Sequence, residues 1–215
     1  MSTLYFEFYT CKCFDRFCPH FCGGTILDDE TILSAAHCFD NADYYDYSTA
    51  FIEAGIMIDG SPIGQDIFVQ EIIIHPNWHP LTVRNNIAIL KLATPLQFNS
   101  NVQPACLPDI QFTPEKGLVS GWGYTKPIYP SSHSTMLKFL RVNVVSSKKC
   151  NEVFISNAIA GNNECKDLNG TIIDCVNATF VYPSMICVGT EIEGNCLLLK
   201  KIIAIFNPGL EAIYV

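Results

Sequence analysis

The sequence predicts an all-β protein assembled as an antiparallel barrel or sandwich. Short β-branched runs recur between residues 21 and 124, turn-forming clusters separate them, and helical periodicity is a minor component. The runs lie at residues 24–27, 31–34, 50–58, 67–74, 87–92 and 118–120. Between them stand Asp28-Asp29-Glu30, Asp59-Gly60-Ser61-Pro62 and Pro76-Asn77-Trp78, which combine restricted backbone angles with side chains that bond their own main chain. Residues 139–145 (FLRVNVV) alternate and predict a further strand. A helix is predicted to start within residues 146–154, where the hydroxyl of Ser146 or Ser147 can accept from the free N–H groups of a first turn. Residues 155–181 crowd Asn157, Gly161-Asn162-Asn163, Asn169-Gly170 and Asn177 together and predict a long surface loop. That stretch holds two Asn-x-Thr sequons, which make Asn169 and Asn177 candidate glycosylation sites if the chain is exported. Near the end, residues 202–206 are β-prone and Asn207-Pro208-Gly209 signals a turn, so the tail is expected to supply one improvised strand.

Composition narrows the functional classes. A chain of 215 residues has room for one domain-sized unit with a sizeable core. Thirteen basic against twenty-one acidic side chains give a net charge of -8, which argues against nucleic acid as a partner and leaves no basic patch for anionic membranes. Eleven cysteines, with no paired C-x-x-C spacing, predict a disulfide framework and an oxidising compartment. The segment Cys11, Cys13, Cys18 and Cys22, near His20, has no well-attested zinc spacing, so neither a metal nor another cofactor is expected. Residues 1–10 have no basic n-region and are interrupted by Glu7, so they do not read as a signal peptide; export is expected to require a start upstream. The apolar run 196–206 is broken by Lys200-Lys201 and is shorter than a membrane span of about 20 residues.

Several motifs occur together in order. They are His20-Phe21-Cys22-Gly23-Gly24, Leu33-Ser34-Ala35-Ala36-His37-Cys38, His75-Pro76, residues 85–92 (NNIAILKL), Pro104-Ala105-Cys106-Leu107-Pro108, Ser120-Gly121-Trp122-Gly123 and Met185-Ile186-Cys187-Val188-Gly189. In this combination the chain resembles the trypsin-like (chymotrypsin-family) serine proteases from about His20 to Cys196. The resemblance implies two six-stranded antiparallel β-barrels with an active site in the cleft between them, endopeptidase chemistry without a metal, and an extracellular or secretory setting. It divides the chain into a cysteine-rich segment at 1–19, a protease-like domain at 20–196 with an insertion at 155–181, and an unrelated tail at 197–215. The residues ahead of Cys22 match nothing in the family's first strand, so the first barrel is expected without its N-terminal strand. The second is expected to be incomplete at its C-terminal end.

Carried over residue by residue, the resemblance puts His37 in the position of the general base, which takes the nucleophile's proton and returns it to the leaving amine. The position of the orienting aspartate is occupied by Asn86, an uncharged amide; in this type of triad that exchange costs about 10⁴-fold in turnover. No nucleophile is found, because Cys196 is followed by Leu197-Leu198-Leu199-Lys200-Lys201 where the family has Gly-Asp-Ser-Gly-Gly, and the oxyanion donors go with it. Ser34, Ser131, Ser132 and Ser134 have no adjacent base. His20, His75, His79 and His133 lie outside any such motif and are expected in surface or turn roles. Gly194 falls at the base of the substrate pocket. The family's activation terminus has no counterpart. The implied disulfides are Cys22–Cys38 and Cys150–Cys187, with Cys165–Cys175 closing the insertion; Cys106 is left for Cys11, Cys13 or Cys18, and Cys196 has no partner. The functional expectation is a serine endopeptidase homologue that is inactive or nearly so. Two alternatives accompany it: a secreted pseudoprotease that occupies substrates, inhibitors or partner proteases, and a non-functional fragment of an active protease gene.

Overall fold

Six strands in the first half of the chain close on themselves, because each presents backbone donors and acceptors that a neighbour can satisfy and apolar side chains that need a common interior. They are β1 (Phe6–Tyr9), β2 (His20–Ile26), β3 (Thr31–Ser34), β4 (Phe51–Ala54), β5 (Gln65–Ile74) and β6 (Ala88–Leu92), in the order β1-β2-β3-β6-β5-β4 around the barrel. The computed structural model describes residues 6–9, 20–40, 49–107, 115–122, 134–161, 164–166, 171–179, 181–182, 185–189, 196–197, 204–205 and 212–214. Every pair in this barrel is antiparallel.

β1 corrects one expectation. The first barrel does not lack its N-terminal strand: Phe6–Tyr9 pairs with β2 through Phe6↔Gly24, Glu7↔Gly23 and Phe8↔Cys22, and with β4 through Phe6↔Ala54 to Tyr9↔Phe51. Without it both β2 and β4 would present open edges, and the aromatic-rich FEFY segment has the propensity to fill the gap. Its disagreement with the family's sequence pattern does not matter to the ladder, which is made by the main chain.

The barrel interior holds Ile26, Ile32, Ile52, Leu90, Leu92, Leu96, Val102 and Phe39 in one cluster. β6 alternates between buried and half-buried positions, as a strand with one face on the core must, whereas all four residues of β3 are buried. The β2–β3 reversal is tied by Leu27 and Asp28 N–H groups donating to the Thr31 carbonyl, and by the Glu30 N–H donating to Asp28 Oδ1 at 3.0 Å. Lys91 Nζ donates to Thr31 Oγ1 at 2.8 Å. After β4 the chain leaves the barrel at Gly55, whose φ of +85° lies in the left-handed region; a Cβ there would sit 2.7 Å from Val102 Cγ2.

The second half forms an open sheet, consistent with a second barrel that does not close. It contains β7 (Lys116–Gly121), β8 (Lys138–Val145), β11 (Cys187–Gly189), β12 (Cys196–Leu197), β13 (Ala204–Ile205) and β14 (Ala212–Tyr214), ordered β12-β11-β8-β7-β14-β13. Two short tail strands are present where one was expected. β14 joins β7 in parallel, a departure from the all-antiparallel expectation: the edge of β7 is covered by whichever strand reaches it. Ile56, Trp122 and Leu137 form a small buried cluster linking the exit of the first barrel to this sheet, beside an isolated bridge between Ile58 and Met136.

The segment expected as a long loop is structured in part. Helix α1 runs Ser147–Ala160, with Ser146 as the N-cap, its hydroxyl accepting from the Lys149 N–H at 3.3 Å. The run 155–160 contains no Pro or Gly, so nothing in it stops the helix before Gly161, the C-cap. Beyond it, β9 (Cys165–Lys166) and β10 (Ile172–Ile173) make a two-stranded sheet, and Ala158, Cys165 and Ala178 are buried together. Three disulfides match the implied pairs: Cys22–Cys38, Cys150–Cys187, which ties α1 to β11, and Cys165–Cys175.

Two outcomes test this account of the fold. Leu90→Ala, which removes buried methyls from the barrel centre, should lower unfolding stability by about 2–5 kcal/mol in urea titrations. Slight burial alone would raise the Asp28 carboxyl, but the Thr31 hydroxyl, the Glu30 and Thr31 main chain and the Lys91 charge hold it below its ordinary 3.8. A folded-state value below the unfolded one contributes stability above the unfolded value that disappears as pH falls through the folded one. The urea midpoint of Asp28→Asn should therefore trail wild type at pH 7, and the gap should narrow as pH falls below that of a free carboxyl.

Candidate active site

The β3–β6 register brings the first two candidate residues together. Ser34 pairs with Ala88, so the residues that follow Ser34 and those that precede Ala88 emerge at the same end of the barrel. His37 lies there on a 3-10 turn, Ala36–Cys38, and Asn86 lies just before β6. The main-chain N–H of His37 donates to Asn86 Oδ1 at 2.9 Å, which aims the amide oxygen at the turn. The imidazole Nδ1 is 3.1 Å from that oxygen and 2.9 Å from Asn86 Nδ2. An Nδ1–H can donate to the oxygen; in the other tautomer, Nδ2–H donates to Nδ1 and the proton stays on Nε2.

A strained loop holds Asn86 in place. Val83 and Asn85 both adopt left-handed backbone angles, φ +57° and +54°, and for a β-branched valine that region is disfavoured. Asn85 Nδ2 donates to the Asn77 carbonyl at 2.7 Å, the His79 N–H donates to the Arg84 carbonyl at 3.1 Å, and the Ile87 N–H donates to the Asn85 carbonyl at 2.8 Å. The Arg84 guanidinium stands 5.0 Å from the Tyr182 ring centroid, linking this loop to the second half of the chain. His75 and His79 have the turn roles expected of them: their Nδ1 atoms face the N–H groups of Asn77 and Thr82 at 3.1 and 3.3 Å.

The far side of the His37 ring holds a feature the sequence did not disclose. Nε2 is 3.5 Å from Cys38 Sγ and 4.0 Å from Cys22 Sγ, so the nitrogen that would exchange a proton with a nucleophile faces the disulfide. Sequence spacing places Cys38 beside His37, but only the closure of the 22–38 bridge brings Cys22 to the same nitrogen.

A trypsin family model, described as Trypsin, matches residues 12–195 of this chain. The chain belongs to the trypsin family. Within that family its remaining candidate residues are placed as follows. Ser34 is buried and its hydroxyl donates to the Gly23 carbonyl at 2.9 Å; Ser134 is buried and donates to the Met136 carbonyl at 2.6 Å. Both hydroxyls are committed to main-chain acceptors. Asn177 is exposed at the end of a 3-10 turn, Cys175–Asn177. Cys106 is an exposed free thiol. Gly194, Asn169, Ser131, Ser132, His133, Cys11, Cys13 and Cys18 lie outside the described residues, and of Cys196 only its strand is described. Among the described residues no helix is long and apolar enough to cross a membrane.

Val83→Gly should raise stability by about 1 kcal/mol, measured by thermal or urea unfolding, because glycine adopts a positive φ without steric cost. A variant no more stable than wild type would show that the valine carries no strain.

Proposed function

We propose that this trypsin-family chain does not turn over peptide bonds and acts instead as a pseudoprotease, an extracellular module that holds protein substrates, inhibitors or partner proteases. The observation that carries the reading is the neutral amide of Asn86 on His37 Nδ1, together with Nε2 directed at the 22–38 bridge. Acyl transfer requires Nε2 to take a proton from a nucleophile while a carboxylate on Nδ1 stabilises the resulting imidazolium. An amide supplies no charge, and the loss of about 10⁴-fold corresponds to roughly 5.5 kcal/mol of transition-state stabilisation. The chain also continues from Cys196 into Leu197-Leu198-Leu199, so no serine stands where the family's nucleophile and oxyanion donors would be.

Binding does not need that machinery. Interface affinity comes from a complementary surface, and the first barrel, with its buried core and Cys22–Cys38 bridge, supplies a stable frame for one. Three disulfides and the exposed sequon at Asn177 fit an oxidising, glycosylating route of export. Asn169 is the second candidate on the same reading.

Incubation with a fluorophosphonate that labels activated serines should leave the chain unmodified, and Asn86→Asp should not recover turnover of a peptide library. Protein inhibitors of trypsin-family enzymes should bind in calorimetry and emerge uncleaved. Stoichiometric labelling, or wild-type turnover that His37→Ala abolishes, would overturn the inactive reading.

A further inference from the structure

We propose that Met57 and Met136 form an oxidation site on the seam between the first barrel and the second sheet, where a peroxide converts both thioethers to sulfoxides and loosens the contact around Trp122. Both residues are open to a small reagent: Met57 is 52% exposed and Met136 56%. Peroxide attack needs solvent access to the sulfur, so these two are reached first. Met185 supplies the contrast, because it is partly buried against the cluster of Cys150, Val181 and Cys187.

Their position gives the modification a consequence. The Leu137 N–H donates to the Met57 carbonyl and the Asp59 N–H to the Thr135 carbonyl, both at 2.9 Å. Between these two bonds Ile58 and Met136 face each other as an antiparallel bridge. A pair flanked in this way, with no hydrogen bond of its own, is the kind whose side chains stand closest, with Cα atoms about 4.5 Å apart. Ile56, one residue before Met57, and Leu137, one after Met136, are both buried, and they cluster with Trp122. Each methionine therefore sits one position from the apolar contact that joins the two halves of the chain.

Trp122 is tied to the same main chain. The Ser134 N–H donates to the Trp122 carbonyl at 3.1 Å, the Ser134 hydroxyl donates to the Met136 carbonyl at 2.6 Å, and the Met136 N–H donates back to Ser134 Oγ at 3.3 Å. A shift of Met136 is thereby passed to the residue that carries the buried indole.

The oxidation balances. The thioether sulfur gives an electron pair to one peroxide oxygen, the O–O bond breaks as the S–O bond forms, and hydrogen peroxide leaves as water; sulfur loses two electrons and the peroxide gains them. The product is a polar, chiral side chain with an acceptor oxygen. The part of each methionine that is covered in the thioether form cannot stay covered without a donor for that oxygen. The side chains turn outward to hydrate it and withdraw apolar cover from the seam.

The test uses the full chain carrying Trp78→Phe, which leaves Trp122 as its one indole, treated with dilute hydrogen peroxide and followed by peptide mapping and fluorescence. Met57 and Met136 should each gain one oxygen at least about 10-fold faster than Met185. In step with them, Trp122 emission should move to longer wavelength and its quenching by acrylamide should rise at least about two-fold, the mark of local opening. The double variant Met57→Leu/Met136→Leu keeps the apolar volume and should show neither fluorescence change, although the exposed thiol of Cys106 is still there to be oxidised. Oxidation of Met185 as fast as the other two would overturn the proposal, as would full oxidation of Met57 and Met136 with the Trp122 signal unchanged. So would the same fluorescence change in the double variant, because the peroxide would then be acting on Cys106 or on the indole itself. Mapping of the unsubstituted chain reads the order of oxidation whether or not the variants fold.

Discussion

The antiparallel register of β3 against β6 is the constraint on which the rest of this molecule depends. It buries Ile32 and Leu90 in the barrel centre, and by matching Ser34 with Ala88 it fixes which residues meet at the barrel's end. A slip of one residue would turn the core side chains outward and separate His37 from Asn86. The Cys22–Cys38 bridge then joins β2 to the turn that carries His37, and the left-handed residues Val83 and Asn85 present Asn86 from the other side. Core packing and site geometry therefore come from the same ladder.

Within that frame a single amide changes the chemistry open to the histidine. A carboxylate on Nδ1 would favour the charged ring and direct Nε2 toward proton exchange; an amide tolerates the neutral ring in either tautomer. The adjacent disulfide lies on the opposite edge of the same imidazole. One ring consequently meets the Asn86 amide on one edge and the sulfurs of the Cys22–Cys38 bridge on the other.

Much of this was legible along the chain. The LSAAHC segment and the run NNIAILKL identify the two sides of the site because each combines a strand with the functional residue at its end, and such local pairings survive in linear order. Of the three disulfides, Cys22–Cys38 and Cys150–Cys187 followed from the resemblance, while Cys165–Cys175 was expected as a local closure of the insertion. Other features were not legible. FEFY closes the barrel although it resembles no first strand, since main-chain hydrogen bonding and exposed edges are indifferent to side-chain identity. The Asn-rich stretch at 155–181 read as loop by composition, yet α1 continues to Ala160 because the first residues of that stretch contain no breaker and Ala158 finds burial against Cys165 and Ala178.

By itself the sequence determined the strand-rich class, the family and the neutral residue at position 86, because each is written in local pattern or in residue identity; the pairs Cys22–Cys38 and Cys150–Cys187 came only as what the family resemblance implies. Tertiary structure alone decided how the first barrel closes, which strand covers β7, and what faces Nε2 of His37. Those depend on segments far apart in the chain meeting at one place, and the approach of Cys22 to the His37 ring is set by the 22–38 bridge rather than by their separation of fifteen in sequence.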